Sequence, residues 1–293
     1  MKKEPLNSYL FRMIRSINND SHDDFYKVLE QLIKSKEDKP GDVTRTLQTL
    51  YNSRPKKMTL LSSNKELENL VTVSKPEKKD LILSISERYN DIIKEHKNKD
   101  LYTQHNLNVT NKILLTGSPG NGKSSLAKNL SFDLNLPLLQ VNNSNLVGSK
   151  LGSTSNNIGH IMKISEPCVL FFDEIDSIAM SRDNDKNSEH SDIIRSLNVM
   201  LIEMERISPD IIFIAATNRY DKLDKAIIRR FDEVLELKAP DEHNKKLFIQ
   251  KLRLDYKMNI DDEVDEKIYS LSSYSDIENS YKKYIRTKIL QTI

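Results

Sequence analysis

A single cysteine, Cys168, excludes an internal disulfide framework and suits a reducing, cytoplasmic setting. It lies in an apolar run, so a buried structural thiol is expected rather than a nucleophile. No stretch approaches the ~18 apolar residues of a transmembrane helix, so no membrane span is expected. The first residues, Met1-Lys2-Lys3-Glu4-Pro5, lack the continuous apolar segment of a signal peptide. Charge of one sign is also missing. Lys and Arg number 45 against 43 Asp and Glu, leaving +2, which gives no argument for nucleic acid or an anionic membrane as partner. No Cys/His spacing suited to zinc occurs. Glycine is scarce too, with seven in 293 residues, yet three of the seven fall within six consecutive positions.

That cluster is Gly117-Ser118-Pro119-Gly120-Asn121-Gly122, followed by Lys123-Ser124-Ser125. It matches G-x-x-x-x-G-K-[ST], the phosphate-binding P-loop. A chance match in a chain of this length is roughly a 1 in 100 event at average residue usage. The apolar run Ile113-Leu114-Leu115 before it reads as a buried strand, and Ser125 to Leu130 after it as a helix. Glycines let backbone N–H groups wrap phosphates, and the helix N-terminus adds its positive dipole end. Lys123 is placed to reach the β- and γ-phosphates and Ser124 to ligate Mg²⁺. A nucleoside triphosphate with Mg²⁺ is therefore the expected ligand set, held by residues 117–125 and Asp173.

The rest of the chain has a legible rhythm. Residues 6–51 carry three apolar stripes at helical spacing: Leu6 to Ile17, Phe25 to Ile33 and Val43 to Tyr51. They predict a small helical N-terminal module over 1–55. A polar segment around 52–80 reads as a linker, and Leu81, Ile82, Ile85, Tyr89, Ile92 and Ile93 mark a lead-in helix, so 56–100 is taken as connection. From residue 112 short apolar strands alternate with helices, the pattern of a parallel α/β sheet. Five strands are predicted, at 113–116, 138–141, 168–172, 211–216 and 233–237. Helices are predicted near 122–134, 155–165, 190–206 and 224–229, and again at 241–254, 262–271 and 275–291. The expected architecture is a three-layer α/β P-loop core with a parallel five-stranded sheet (101–240) and a small helical lid (241–293).

Three further constellations carry chemistry. In Val169-Leu170-Phe171-Phe172-Asp173-Glu174-Ile175-Asp176 a buried strand ends in carboxylates, where open α/β sheets bind ligands. Asp173 fits a Mg²⁺-associated acid, and Glu174 fits a residue that positions or deprotonates an attacking water. In Ile211 to Asn218 a second strand ends in a polar group. Asn218 is a candidate γ-phosphate sensor or water-holding group; the plainer reading is a turn cap. Arg229 and Arg230 follow a short helical segment, as surface charge or as phosphate ligands.

Taken in order, these elements resemble the AAA family of the AAA+ ATPases. Walker A is GSPGNGKS (117–124), Walker B is VLFFDEID (169–176), sensor 1 is AATN (215–218), and TNRYDKLDKAIIRRFD (217–232) resembles the second region of homology. The resemblance spans about 112–240. It implies a homo-oligomeric ring, six-membered by family expectation, in which Arg229 and Arg230 reach a neighbour's γ-phosphate. Ser273-Tyr274-Ser275-Asp276-Ile277 weakly resembles the turn of the family's lid. The Asn-containing P-loop and the Arg-Arg-Phe-Asp run are similar to a bacterial branch, some of whose members work beside a subtilisin-like serine protease. Residues 146–154 correspond to the family's peptide-gripping pore loop. There Lys150 replaces the family's aromatic residue and Leu151 follows it. An aromatic ring wedges between substrate side chains with little regard for sequence. A lysine does not do so in the same way, which leaves three readings open: Leu151 grips, Lys150 favours acidic segments, or the substrate is one defined partner. The plainer reading is an ordinary connecting loop. The run from Ser181 to His190 corresponds to a second pore-facing loop.

The reading is thus a Mg²⁺-ATP-hydrolysing ring that remodels or regulates a protein partner, such as a protease. Two rivals remain at this level. One is an assembly switch or adaptor whose ATP state controls binding to a partner. The other is a nucleic-acid-directed motor, disfavoured by near-neutral charge and the lack of an aromatic-basic binding motif.

Overall fold

The computed structural model describes residues 65–78, 86–146, 153–179, 188–258 and 267–292, and Tyr9, Phe11–Met13, Arg15, Val28, Leu29 and Gln31–Ile33 nearer the N-terminus. The chain divides into two compact units, Met1–Thr59 and Leu60–Ile293. In the first, the described residues are helical. Tyr9, Val28 and Leu32 are buried together with Met13 against them, and Arg12 donates to Gln31 Oε1 at 2.8 Å. The stripe from Val43 to Tyr51 lies outside the described residues.

The second unit is built on a six-stranded sheet ordered β1-β3-β4-β5-β2-β6. The strands are β1 (Val71–Ser74), β2 (Lys112–Thr116), β3 (Leu138–Val141), β4 (Cys168–Phe172), β5 (Ile211–Thr217) and β6 (Glu233–Glu236). Five of them run parallel, as expected. The five-stranded count needs correction, because β1 joins as an antiparallel edge, with Val71 opposite Val141 and Ser74 opposite Leu138. It lies inside the polar stretch read as linker. Its sequence, VTVS, buries a single residue: Val71 is buried, Thr72 is exposed, and Val73, on the same face as Val71, is 46 % exposed. A short edge strand needs no continuous apolar run. The central strands do, since both their faces are covered, and every residue of β4 and β5 is buried, Cys168 included.

On one face the core packs Ile113, Leu115, Val169, Phe171, Ile212 and Ile214 against Leu126, Ala127 and Leu130 of the helix Lys123–Asp133 and against Ile92 and Ile93 of the helix Ser86–Lys97. Elsewhere Phe172 meets Phe213 edge-on at 5.4 Å, and Phe231 stacks on Phe213 at 5.7 Å. Helices Ser153–Met162 and Ser188–Arg206 touch where Gly159 faces Val199. The C-terminal helices Glu242–Tyr256 and Tyr274–Thr292 build a cluster of their own from Phe248, Ile249, Leu252, Ile268, Ile277, Tyr281 and Ile285. Asp241 caps the first by accepting from Asn244 N at 2.7 Å. Ser273 caps the second, accepting from Asp276 N at 3.1 Å and donating its hydroxyl to the Asp276 carboxylate at 2.7 Å. Of the helix expected at 262–271, Lys267–Tyr269 is helical and 259–266 lie outside the described residues. No described helix is long and apolar enough to cross a membrane.

Candidate functional site

Strand β2 delivers the chain to the glycine-rich loop at the carboxyl edge of the sheet. Gly117 sits at φ +130°, and a Cβ there would lie 2.2 Å from the Leu237 carbonyl oxygen. Only glycine satisfies both constraints. Leu237 N donates to Thr116 O at 2.8 Å, so the end of β6 fixes the start of the loop. Asn121 leans on the same carbonyl, with Nδ2 3.5 Å from it. Its buried Oδ1 has no hydrogen-bond partner among the described residues. Gly120 carries the other close approach: at φ +78°, its missing side chain leaves room for Ser273 and Ser275, and Ser275 N donates to Gly120 O at 3.2 Å. The loop is thereby pinned by β6 on one side and by the C-terminal helices on the other.

Lys123, the first residue of the following helix, turns its ammonium back over the loop. Nζ donates to Gly117 O at 2.6 Å, to Ser118 O at 3.0 Å and to Asn218 Oδ1 at 2.5 Å. Burial pulls its pKa below the usual lysine value, and the carboxylates of Asp173 and Asp176 act in the opposite direction. Ser124 Oγ donates to Asp173 Oδ2 at 3.0 Å, and Asp173 Oδ1 accepts from Glu174 N at 3.1 Å. Glu174 occupies the left-handed region at φ +49°, ψ 49°, with its side chain exposed beside the loop. A non-glycine residue held there is strained, and such strain gathers at functional sites.

The structure therefore brings together Lys123, Ser124, Asp173, Glu174 and Asn218, contributed by three loops at the same edge of the sheet. With Pro119, Gly120, Asn121, Gly122 and Ser125 they line a cleft of about 450 Å³. Arg229 and Arg230 are not among its lining. Both are exposed, and Arg230 pairs with Glu205 at 2.6 Å. Lys150 and Leu151 lie outside the described residues, as do 181–187 of the second loop, whose remaining residues, Ser188–His190, begin a helix.

Several contributors were not singled out from sequence. The far wall of the cleft is the pair of C-terminal helices: Phe248, Leu252 and Tyr274 give an apolar surface, and Lys251, Asp255 and Glu278 charged ones. Their helical periodicity predicts a core, and nothing local marks which turn faces the loop. Asn143 donates from Nδ2 to the Asp173 carbonyl at 2.7 Å. It stands just past β3, at the same strand-end position that drew attention to Asp173 and Asn218, so the same rule finds it. Thr217 and Asp176 lie inside quoted motifs without an assigned role, yet Thr217 Oγ1 donates to Asp176 Oδ1 at 2.7 Å.

The arrangement offers a cation and backbone donors on one side and two carboxylates on the other, a setting for a polyanion with a metal. The Ser124 hydroxyl and Asp173 carboxylate are adjacent hard oxygen donors that fit Mg²⁺. No group of three or more His, Cys, Asp or Glu suited to a metal occurs among the described residues. Mg²⁺ is usually held in this way, by one or two protein oxygens completed by phosphate and water.

Residues 113–239 match the family model described as ATPase family associated with various cellular activities (AAA). The chain is similar to an uncharacterized AAA family ATPase of Sinorhizobium fredii, 34% identical over 245 residues, covering 78% of this chain and 73% of the relative. It is also similar to proteasome-activating nucleotidase 1 of Haloferax volcanii, 34% identical over 173 residues, and to a proteasome-activating nucleotidase of Methanococcus vannielii, 37% identical over 171 residues. Those matches cover 57% and 56% of this chain, and 42% of each archaeal protein.

Proposed function

Because this chain belongs to the AAA family of ATPases, we propose that it binds Mg²⁺-ATP in the cleft, hydrolyses it, and uses the cycle within a homo-oligomeric ring to act on a protein partner. The observation that supports the reading most is the joining of two separate segments by one ammonium with a third beside it: Lys123 Nζ joins its own loop to Asn218, next to the Ser124–Asp173 pair. The γ-phosphate would replace the loop carbonyls as partner of Lys123, and its charge would restore the proton affinity that burial reduces. Ser124 and Asp173 would hold Mg²⁺, which, when bound, draws charge from the phosphate oxygens. Glu174 takes a proton from water as the water oxygen bonds to the γ-phosphorus. The bond from that phosphorus to the bridging oxygen breaks, leaving ADP and phosphate. Asn218 orients the reacting group.

Arg229 and Arg230 are exposed and outside the cleft lining, which suits a role at a neighbour's site, where an arginine stabilises charge in phosphoryl transfer. The archaeal relatives, named proteasome-activating nucleotidases, support a protein as the object of the work. In this reading Lys150 and Leu151 contact that protein.

Glu174→Gln should bind ATP and lose about 10²-fold or more in turnover. Full turnover would overturn the assignment. Arg230→Ala mixed with Glu174→Gln should regain activity that neither has alone, since each supplies what the other lacks; no recovery at any ratio would argue against shared sites. Capture with the Glu174→Gln trap should recover a protein partner, and a serine protease among the captured proteins would specify its class.

A further inference from the structure

Hydrolysis in the reading above needs two strand ends held at a set spacing: β4, which leads into Asp173 and Glu174, and β5, which leads into Asn218. The ladder between them stops short of that point. Its last paired residues are Phe172 and Ala215. Beyond Ala215, β5 continues to Thr217 beside β2, with Thr217 opposite Thr116. Between the β4 and β5 loops, the hydrogen bond past the end of the ladder is a side-chain one, from Thr217 Oγ1 to Asp176 Oδ1 at 2.7 Å.

The same hydroxyl accepts from Arg219 N at 2.9 Å. It therefore ties together the residues on either side of Asn218 and fastens both to Asp176. Thr217 is 1% exposed, so water does not substitute for either bond. Asp176 is itself anchored. It lies in the single turn Ile175–Ser177, closed by Ser177 N to Glu174 O at 3.0 Å and followed by Ala179 N to Ile175 O at 3.0 Å. Asp224 N then donates to Ala179 O at 3.0 Å, joining this turn to the start of the helix Lys225–Ile228.

We propose that Asp176 acts through Thr217 as a positioning pair, setting Asn218 at the distance from Glu174 that hydrolysis requires while leaving nucleotide binding to the loop. The inference rests on the ATPase reading and on Asn218 taking part in turnover. The threonine methyl is dispensable to it, whereas the hydroxyl serves as donor and acceptor at once. A displacement near 1 Å at a reacting group lowers rates by about 10²-fold without touching distant binding contacts.

The test uses the full chain, with steady-state ATPase kinetics and equilibrium binding of ADP. Thr217→Val, nearly the same shape without the hydroxyl, should lower kcat by about 10- to 100-fold while KM and ADP affinity stay within about threefold. Thr217→Ser should restore kcat to within about threefold of the parent, because it returns both bonds. Asn218→Ala is measured beside them. If Asn218→Ala turns over fully, the ATPase reading of Asn218 fails and this inference with it. If Asn218→Ala is slow but Thr217→Val is normal, the inference alone fails. It also fails if Thr217→Val loses ADP affinity in step with kcat, or if Thr217→Ser does not rescue. Should Thr217→Val not fold, Asp176→Asn and Asp176→Ala decide the matter: the amide oxygen still accepts, so Asn should keep kcat where Ala loses it at unchanged ADP affinity, and equal losses would overturn the proposal.

Discussion

Glu174 shows most directly how local strain and chemistry coincide. An L-residue in the left-handed region costs roughly 1–2 kcal/mol. Replacement by glycine removes that strain and removes the carboxylate. Glu174→Gly should therefore unfold at the same temperature as the parent or higher, with a gain of up to about 1 kcal/mol, while its ATPase activity is lost. Thermal melts beside an activity assay check both halves; a clear drop in melting temperature would contradict the strain argument. His96 supplies a second residue-scale outcome. Its Nε2 lies 2.7 Å from the Thr110 carbonyl oxygen, and burial, the largest influence, keeps its pKa below the usual histidine value. The folded state then prefers the neutral ring. Its contribution is complete above the unfolded value near 6.5 and is lost as pH falls through that value towards the lowered folded one. Between pH 7.5 and 5, on the order of two units around that value, the parent should lose more stability than His96→Gln, as denaturant titration at each pH would report.

At the scale of elements, strands buried on two faces are the most legible in the sequence, although β6, with Leu235 its one buried residue, is also expected from it at 233–237. Strands β2 to β5 announce themselves as runs such as Cys168–Phe172, and the P-loop and strand-end polar residues could be read from their spacing alone. β1 could not, because four residues with only Val71 buried carry too little apolar signal to stand out from a polar stretch. The cleft wall formed by Phe248, Lys251 and Tyr274 was hidden for a different reason: periodicity identifies which residues share a helix face, not what that face opposes. The asymmetry of β1 is testable. Val71→Asp buries a carboxylate against β3 and should destabilise the protein by about 2 kcal/mol or more. Val73→Lys, on the same face but 46 % exposed, should stay within about 0.5 kcal/mol. Equal losses in equilibrium unfolding would mean that Val73 is covered as fully as Val71.

For the Leu60–Ile293 unit as a whole, the cleft joins the sheet core to a helical cluster that has its own apolar interior. Their described link at the loop is slight, one backbone hydrogen bond from Ser275 to Gly120 with two serines packed where a side chain is missing. A nucleotide filling the cleft would bridge the two halves and stabilise the assembly by mass action. Saturating ADP at about 100 times its dissociation constant should add about 2.7 kcal/mol. Melts with and without ADP test this, and an unchanged midpoint would place the nucleotide elsewhere. The lone thiol gives the means to watch the two halves move. Cys168 is fully buried in the middle of the sheet, and burial pushes its pKa up to about 12. A maleimide dye needs an accessible thiolate and will pass it by. A cysteine introduced at Leu254, 78 % exposed on the helical cluster, would then be the sole labelling position without any cysteine-free background having to be made.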